Sequence, residues 1–217
     1  MPSIPGAIAT RVDREPRRVT WTIDKARGVA RLDQADVQPG GIELPLRPML
    51  GCIGVAPARK EAISTATPGA FGGNMDYAWM TAGVKLMLPV NEPGALLFLG
   101  DGHALQADGE PTGTGIETSM DVEFTVQLRK KANLAGPRAE TREHIISIGS
   151  QPEFASSTNR GLQLATTDMI DWLTADYKLE PWAAHLLIGY QGRYDIVTVA
   201  GSVALKIPKS VLPTTSR

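Results

Sequence analysis

Residues 122–129 read VEFTVQLR, in which Val122, Phe124, Val126 and Leu128 alternate with Glu123, Thr125, Gln127 and Arg129. Side chains at every second position share one face of a strand, so this stretch predicts a β-strand with one core face and one wet face. The same period extends upstream to Val84, Leu86, Leu88 and Val90, a half-buried strand ending at Pro89-Val90. Between the two, residues 95–99 (ALLFL) follow Pro93-Gly94 as an apolar run, which predicts a strand covered on both faces and closed by Gly100. Further out, residues 19–23 and 28–32 predict a hairpin turning at 24–27, and Pro39-Gly40-Gly41 predicts a turn. Strands are also expected around Ile53 and over 142–148, with a closing hairpin of 196–200 and 203–207 about Gly201-Ser202. Many short strands separated by turn signals predict a mainly β chain, a layered β-sandwich or jelly-roll-like body.

After Asn159 the period changes. Leu162, Ala165, Met169, Trp172 and Leu173 recur at helical spacing, Thr158 or Asn159 can cap, and Asp168 and Asp171 fall on the polar side. A second helix is expected to start at Pro181 and end at Gly189, giving two helices appended near the C-terminus. At 217 residues with no low-complexity linker, residues 1–217 read as a single domain, with an irregular arm over 1–18 and a frayed tail from Thr214.

The chemistry-bearing residues concentrate in residues 68–117. Asp101 and His103 alternate just after the apolar run, so an extended backbone points both to one side, and Gln106, Asp108 and Glu110 follow in a turn-prone segment that can fold back toward them. An imidazole beside carboxylates is a mixed nitrogen and oxygen donor set. It suits zinc first, with calcium or another divalent ion as alternatives. Three such ligands and an open position would make bound water acidic, and Glu110 could take its proton and pass it to a departing amine. Asp-Gly-His and Asp-Gly-Glu are equally ordinary turn sequences. Gly72-Gly73 predicts a loop carrying Asn74 and Asp76. Asp76 reads either as a second contributor to the pocket or as an acid bonded to its own turn.

Four ordered blocks, GCIGVAPA at 51–58, TPGAFGGNMD at 67–76, LPVNEPGALLFLGDGHALQADGE at 88–110 and GTGIE at 113–117, resemble signatures of the acetamidase/formamidase family. The resemblance continues to IPKSVLP at 207–213 and covers roughly residues 45–213. It implies a layered β architecture with helices and hydrolysis of a short linear aliphatic amide to carboxylate and ammonia. On that basis Asp101 and His103 are expected to face the metal, with Asp76 a further ligand or orienting acid. Glu110 is the expected proton carrier, with Glu117 in reserve. Gly72, Gly73 and Asn74 are expected to line the substrate, the glycine amides serving as oxyanion donors. The family's longer N-terminal half, with its histidine-rich segment, has no counterpart in residues 1–47. The only histidines are His103, His144 and His185. A second chain supplying that half, or a non-catalytic subunit, is therefore the alternative expectation, and the resemblance also implies a homo-oligomer.

Charge and composition exclude other classes. A formal charge of -1 argues against nucleic acid as a partner, and Gly113-Thr114-Gly115 lacks the third glycine of a dinucleotide fingerprint. No run approaches membrane-spanning length and residues 1–6 form no secretory signal, so a cytoplasmic protein is expected. The single Cys52 sits in an apolar strand and reads as a core thiol, its rival being a cysteine nucleophile. His144 and His185 read as structural, the latter among apolar neighbours.

Overall fold

The computed structural model describes residues 11, 18–34, 37, 40–152 and 157–214. Most of the expected 1–18 arm, part of the Pro39 turn and the end of the tail lie outside them. Trp21–Asp24 (β1), Val29–Leu32 (β2) and Ile42–Pro45 (β3) form an antiparallel sheet in that order, and Trp21 faces Leu32 across the expected hairpin. Met49–Gly54 (β4) is the middle strand of a second sheet, flanked by Gly72–Asn74 (β5) and Phe98–His103 (β7).

The largest sheet has five strands. Arg193–Ile196 (β10) pairs with Val203–Pro208 (β11), followed by His144–Gly149 (β9), Arg138–Glu140 (β8) and Lys85–Met87 (β6). Alternation along β9 and β11 divides its two faces. Ile145, Leu205 and Ile207 meet Met169, Trp172, Leu173, Ala184 and Ile188 of the two helices, Thr158–Tyr177 (α1) and Pro181–Gln191 (α2). On the other face Ile146, Ile148 and Ala204 pack against Met75, Tyr77 and Met80, the segment leading out of β5. The chain is thus mainly β, with three antiparallel sheets and two helices near the C-terminus. Among the described residues no helix is long and apolar enough to cross a membrane.

Several expectations need correction. Residues 122–128 join no ladder among the described residues, and all of them are exposed, the apolar members included. Ala95 and Leu96 lie in a turn, both at positive φ; the strand starts at Phe98 and runs through Gly100, which pairs with Cys52. Gly72–Asn74 is a strand rather than a loop, although both glycines keep positive φ. Ser157 occupies the N-cap of α1. Helix α2 continues through Gly189 to Gln191, and the Glu180 carboxylate accepts from the Trp182 and Ala183 N–H groups at its start. His185 is exposed and stacks on Trp182.

Asp168 is also buried rather than wet. Its carboxylate accepts from Arg138 Nε and Nη2, each at 2.8 Å, and from the Ser147 hydroxyl, while Arg138 lies over the Trp172 ring. This fork pins α1 to β8 and β9 through the core. Removing one partner strands the other charge away from water, so Asp168→Ala is expected to lower unfolding stability by about 3–5 kcal/mol. Urea denaturation measures this, and a loss below about 1 kcal/mol would instead mark the pair as solvated.

Candidate active site

β4 and β7 run antiparallel in a register that pairs Leu50 with Gly102 and Cys52 with Gly100. Between those pairs stand Gly51 and Asp101. Gly51 has no side chain, and a Cβ there would collide with Asp76 Oδ1 and with Asp101 Oδ2. The small residue is what lets two carboxylates close over one point of the strand. Asp76 is set there by its own backbone, since it sits at φ 48° and its N–H donates to Gly51 O at 3.0 Å. Asn74 Nδ2 donates to Asp76 Oδ2 at 2.7 Å, whereas the buried Oδ1 has no hydrogen-bond partner.

His103 completes the group and is 1% exposed. Its Nε2 lies 3.3 Å from Asp101 Oδ1 and 3.0 Å from Glu117 Oε2. Its Nδ1 meets Gln106 Oε1 at 2.5 Å, and the Gln106 amide nitrogen donates to Asp76 O. An amide that donates through nitrogen accepts through oxygen, so Nδ1 carries the proton and Nε2 is the nitrogen aimed at the carboxylates. Glu117 is held in turn, its Oε1 accepting from Thr114 Oγ1 at 2.8 Å and Gly115 N at 3.2 Å.

Ligand atoms of Asp76, Asp101 and His103 all lie within 4.8 Å of one another, as do those of His103, Glu110 and Glu117. The four acids and the imidazole expected from the sequence therefore converge, His103 being common to both groups. His144 and His185 belong to neither group. Gly72 N–H already donates to Gly69 O at 3.0 Å, so that amide is not free to serve as an oxyanion donor. Asn74 acts on Asp76 in this geometry rather than pointing to a separate pocket.

The acids and the imidazole shift one another strongly. Burial, then the charges of Glu110 and Asp101, push the Asp76 carboxyl up to about 8, while the hydrogen bond from His103 holds Asp101 below its ordinary value. Burial opposes charge on His103, but the Asp101 hydrogen bond and the charges of Glu117, Asp101 and Asp76 outweigh it and push the imidazole up to about 9. Without a metal, protons take the place of positive charge. The orphaned Asp76 Oδ1 and the nitrogen and oxygen donor set fit a divalent ion. Cys52 is no rival nucleophile, since burial and the neighbouring acids push its thiol up to about 11.

The model of the acetamidase/formamidase family matches residues 49–178, more than half of the chain. The chain belongs to that family. Among solved structures it is similar to an acetamidase from Yersinia enterocolitica, at 28% identity and TM-score 0.74, over 89% of this chain and 56% of that one. A recombinant predicted acetamidase/formamidase from the thermophile Thermoanaerobacter tengcongensis gives 30% identity and TM-score 0.74, over 85% and 58%. An acetamidase from Bacillus halodurans gives 28% and 0.62, over 82% and 61%. This chain thus spans a little over half the length of the first two. No curated protein matches it.

Within the family match, sequence reading missed the roles of Gly51 and Gln106. Gly51 was visible only as a small residue in an apolar strand. Gln106 could be placed near the histidine by the turn, but its bridge from His103 to Asp76, and the donation of Arg47 Nη2 to its carbonyl at 2.8 Å, need coordinates.

The Asp76 carboxyl sits at about 8 when folded against an ordinary 3.8, so its contribution to stability is intact below about 4 and lost as pH rises toward about 8. His103, raised from 6.5 to about 9, adds a loss of the same sign over a higher window. Metal-stripped protein is therefore expected to melt progressively lower between these limits. Asp76→Asn should flatten the acidic part of the slope and raise the melting temperature at pH 8 by several degrees. Superimposable melting curves for the two proteins across this range would contradict the assignment.

Proposed function

We propose that the chain is an amidohydrolase for short linear aliphatic amides of the formamide and acetamide type, releasing carboxylate and ammonia. The observation that carries this reading is the buried, unpartnered Asp76 Oδ1 beside Asp101 and His103, in a chain of the acetamidase/formamidase family. Asp76, Asp101 and His103 Nε2 would hold a divalent ion, zinc before calcium, because imidazole nitrogen with carboxylate oxygen is a set that zinc accepts readily. Such an ion supplies Lewis acidity toward an amide carbonyl and toward water.

The remaining residues orient and move protons. Gln106 fixes the His103 tautomer from behind and leaves Nε2 free to bind. Glu110, whose carboxylate lies within 4.8 Å of His103 and Glu117 ligand atoms, would take a proton from the attacking water and deliver it to the leaving amine. Glu117, anchored by Thr114 and Gly115, keeps negative charge beside the imidazole. A reducing cytoplasm fits the single buried thiol.

In a second reading, kept as the alternative, a separate polypeptide of the same family completes the site. Ammonia release from formamide and acetamide separates the two. The chain alone, loaded with zinc, is expected to turn over. Chelation should abolish activity, and Asp101→Asn should lower kcat/KM by about 100-fold or more with the fold retained. Equal rates for stripped and loaded protein would overturn the metal assignment. Activity that appears only on adding a second family chain would select the split enzyme.

Gly51→Ala offers a separate check at the strand itself. Its Cβ is expected to displace both carboxylates, so zinc uptake measured by metal analysis should fall to background while the circular dichroism spectrum is retained. Undiminished uptake would mean the carboxylates do not share an ion above Gly51.

A further inference from the structure

His103 stands where two ligand groups meet that share no acid. Its ring belongs with Asp76 and Asp101 on one side and with Glu110 and Glu117 on the other, the ligand atoms of each group lying within 4.8 Å of one another. The backbone arranges this. Asp101 precedes His103 by two positions along β7, and Glu117 lies directly across from His103 in an antiparallel bridge, so both acids reach the same nitrogen of the ring. Gly115 lets the connecting loop close on the imidazole, since a Cβ there would stand 2.8 Å from His103 Nδ1. What separates the two groups is access to water. Asp76 is 2% exposed, whereas the side chains of Asp101 and Glu117 are 31% and 51% exposed. Asp76 therefore lies at the inner end of a row of donors whose outer end is Glu117.

We propose that Glu117 and Glu110 form a capture post for a divalent ion, which binds first to them and His103 and then passes inward to Asp76 and Asp101, His103 remaining a ligand throughout. This rests on the metal reading of the site given above and adds an entrance to it. His103 Nδ1 is engaged by Gln106, so only the Nε2 lone pair is left for an ion, and it lies 3.0 Å from Glu117 Oε2 and 3.3 Å from Asp101 Oδ1. One lone pair serves one ion at a time. The two groups are therefore successive positions of a single ion, not two sites filled together. Glu117 Oε1 is fixed by Thr114 Oγ1 and Gly115 N, which leaves Oε2 turned to the imidazole at the solvent side before any ion arrives. At the other end, Asp76 Oδ1 is buried with no hydrogen-bond partner, a donor shielded from solvent. A hydrated cation cannot enter a sealed position without losing water, and an exposed carboxylate supplies oxygen in exchange for that water. The field of the exposed acids also draws cations to this edge.

The test uses the full chain stripped of metal, with zinc as the probe and stopped-flow mixing against a fluorescent zinc indicator. Wild type is expected to take up one tightly bound ion per chain. Glu117→Ala should take up zinc more slowly by about tenfold or more. It should also release zinc more slowly to excess chelator, because a way station lowers the barrier in both directions. Asp76→Asn should do the reverse: uptake at the wild-type rate, then release faster by about tenfold or more, since the capture post is intact and the inner position has lost a ligand. Circular dichroism checks that both variants keep the fold. Uptake by Glu117→Ala at the wild-type rate, or release no slower than wild type, overturns the hand-over and leaves the metal assignment standing. Two tightly bound ions per chain overturn it as well, as does an Asp76→Asn chain that captures as slowly as Glu117→Ala. A wild-type chain that takes up no zinc overturns the metal reading itself, and the capture post with it.

Discussion

Two carboxylates, Asp76 and Asp101, close over a strand position that has room for them only because Gly51 lacks a Cβ. Neither acid is placed by its own preference. Asp101 comes from the β4–β7 register, and Asp76 from an N–H that donates to Gly51 O across the same strand. Like charges brought together out of water are unfavourable unless something positive stands between or beside them. Burial and the neighbouring acids accordingly push both Asp76 and His103 toward their protonated forms. The same nitrogen and oxygen donors are a set that could hold a divalent cation.

From this point the constraint spreads into the rest of the molecule. Gln106 ties His103 to the Asp76 backbone and takes a hydrogen bond from Arg47, whose guanidinium lies 5.7 Å from the Trp79 ring. Lys206 approaches the other side of the problem, with its ammonium 4.3 Å from the same ring and 2.7 Å from Asp195, which accepts from the Tyr77 hydroxyl. Asp76 and Tyr77 are next to each other in the chain. The cluster hung on the three-stranded sheet is thereby braced against β10 and β11 of the five-stranded one. Behind that sheet the helices are fixed by apolar packing and the Arg138–Asp168 fork, so the segment 75–80 has a rigid backing.

Much of this was legible in the sequence where the signal was local. The helical period from Leu162 to Leu173 and the hairpin of residues 19–32 depend on neighbours a few positions away, and both formed. Asp101 and His103 were readable as a pair because two positions along a strand share a side. Failures came where local pattern leaves the partner open. The run ALLFL states only that these residues avoid water, not where the ladder begins. Leu96 ended in a turn and the strand began at Phe98, carrying on through a glycine that had looked like a stop. Asp168 looked polar by periodicity because Arg138, thirty positions away, cannot be seen from the helix. For residues 122–128 alternation implied a strand with one core face, but the stretch joins no ladder among the described residues and is exposed throughout, because alternation shows which side chains would share a face and not what covers it.

That uncovered segment and the acid cluster meet at Glu117. The backbone of residues 116–118 is laced to the end of β7 and its continuation, through Ala104 to Ile116, Ile116 to Leu105 and Thr118 to Gly102, and His103 itself bridges to Glu117. Three residues beyond Thr118 the unpaired strand begins. The Glu117 side chain, 51% exposed, thus rides on the root of that segment, while His103 beside it is sealed. Three backbone hydrogen bonds thus tie the acid that faces His103 to the chain leading into residues 121–129, so the exposed stretch and the acid cluster share one anchor on β7 and its continuation.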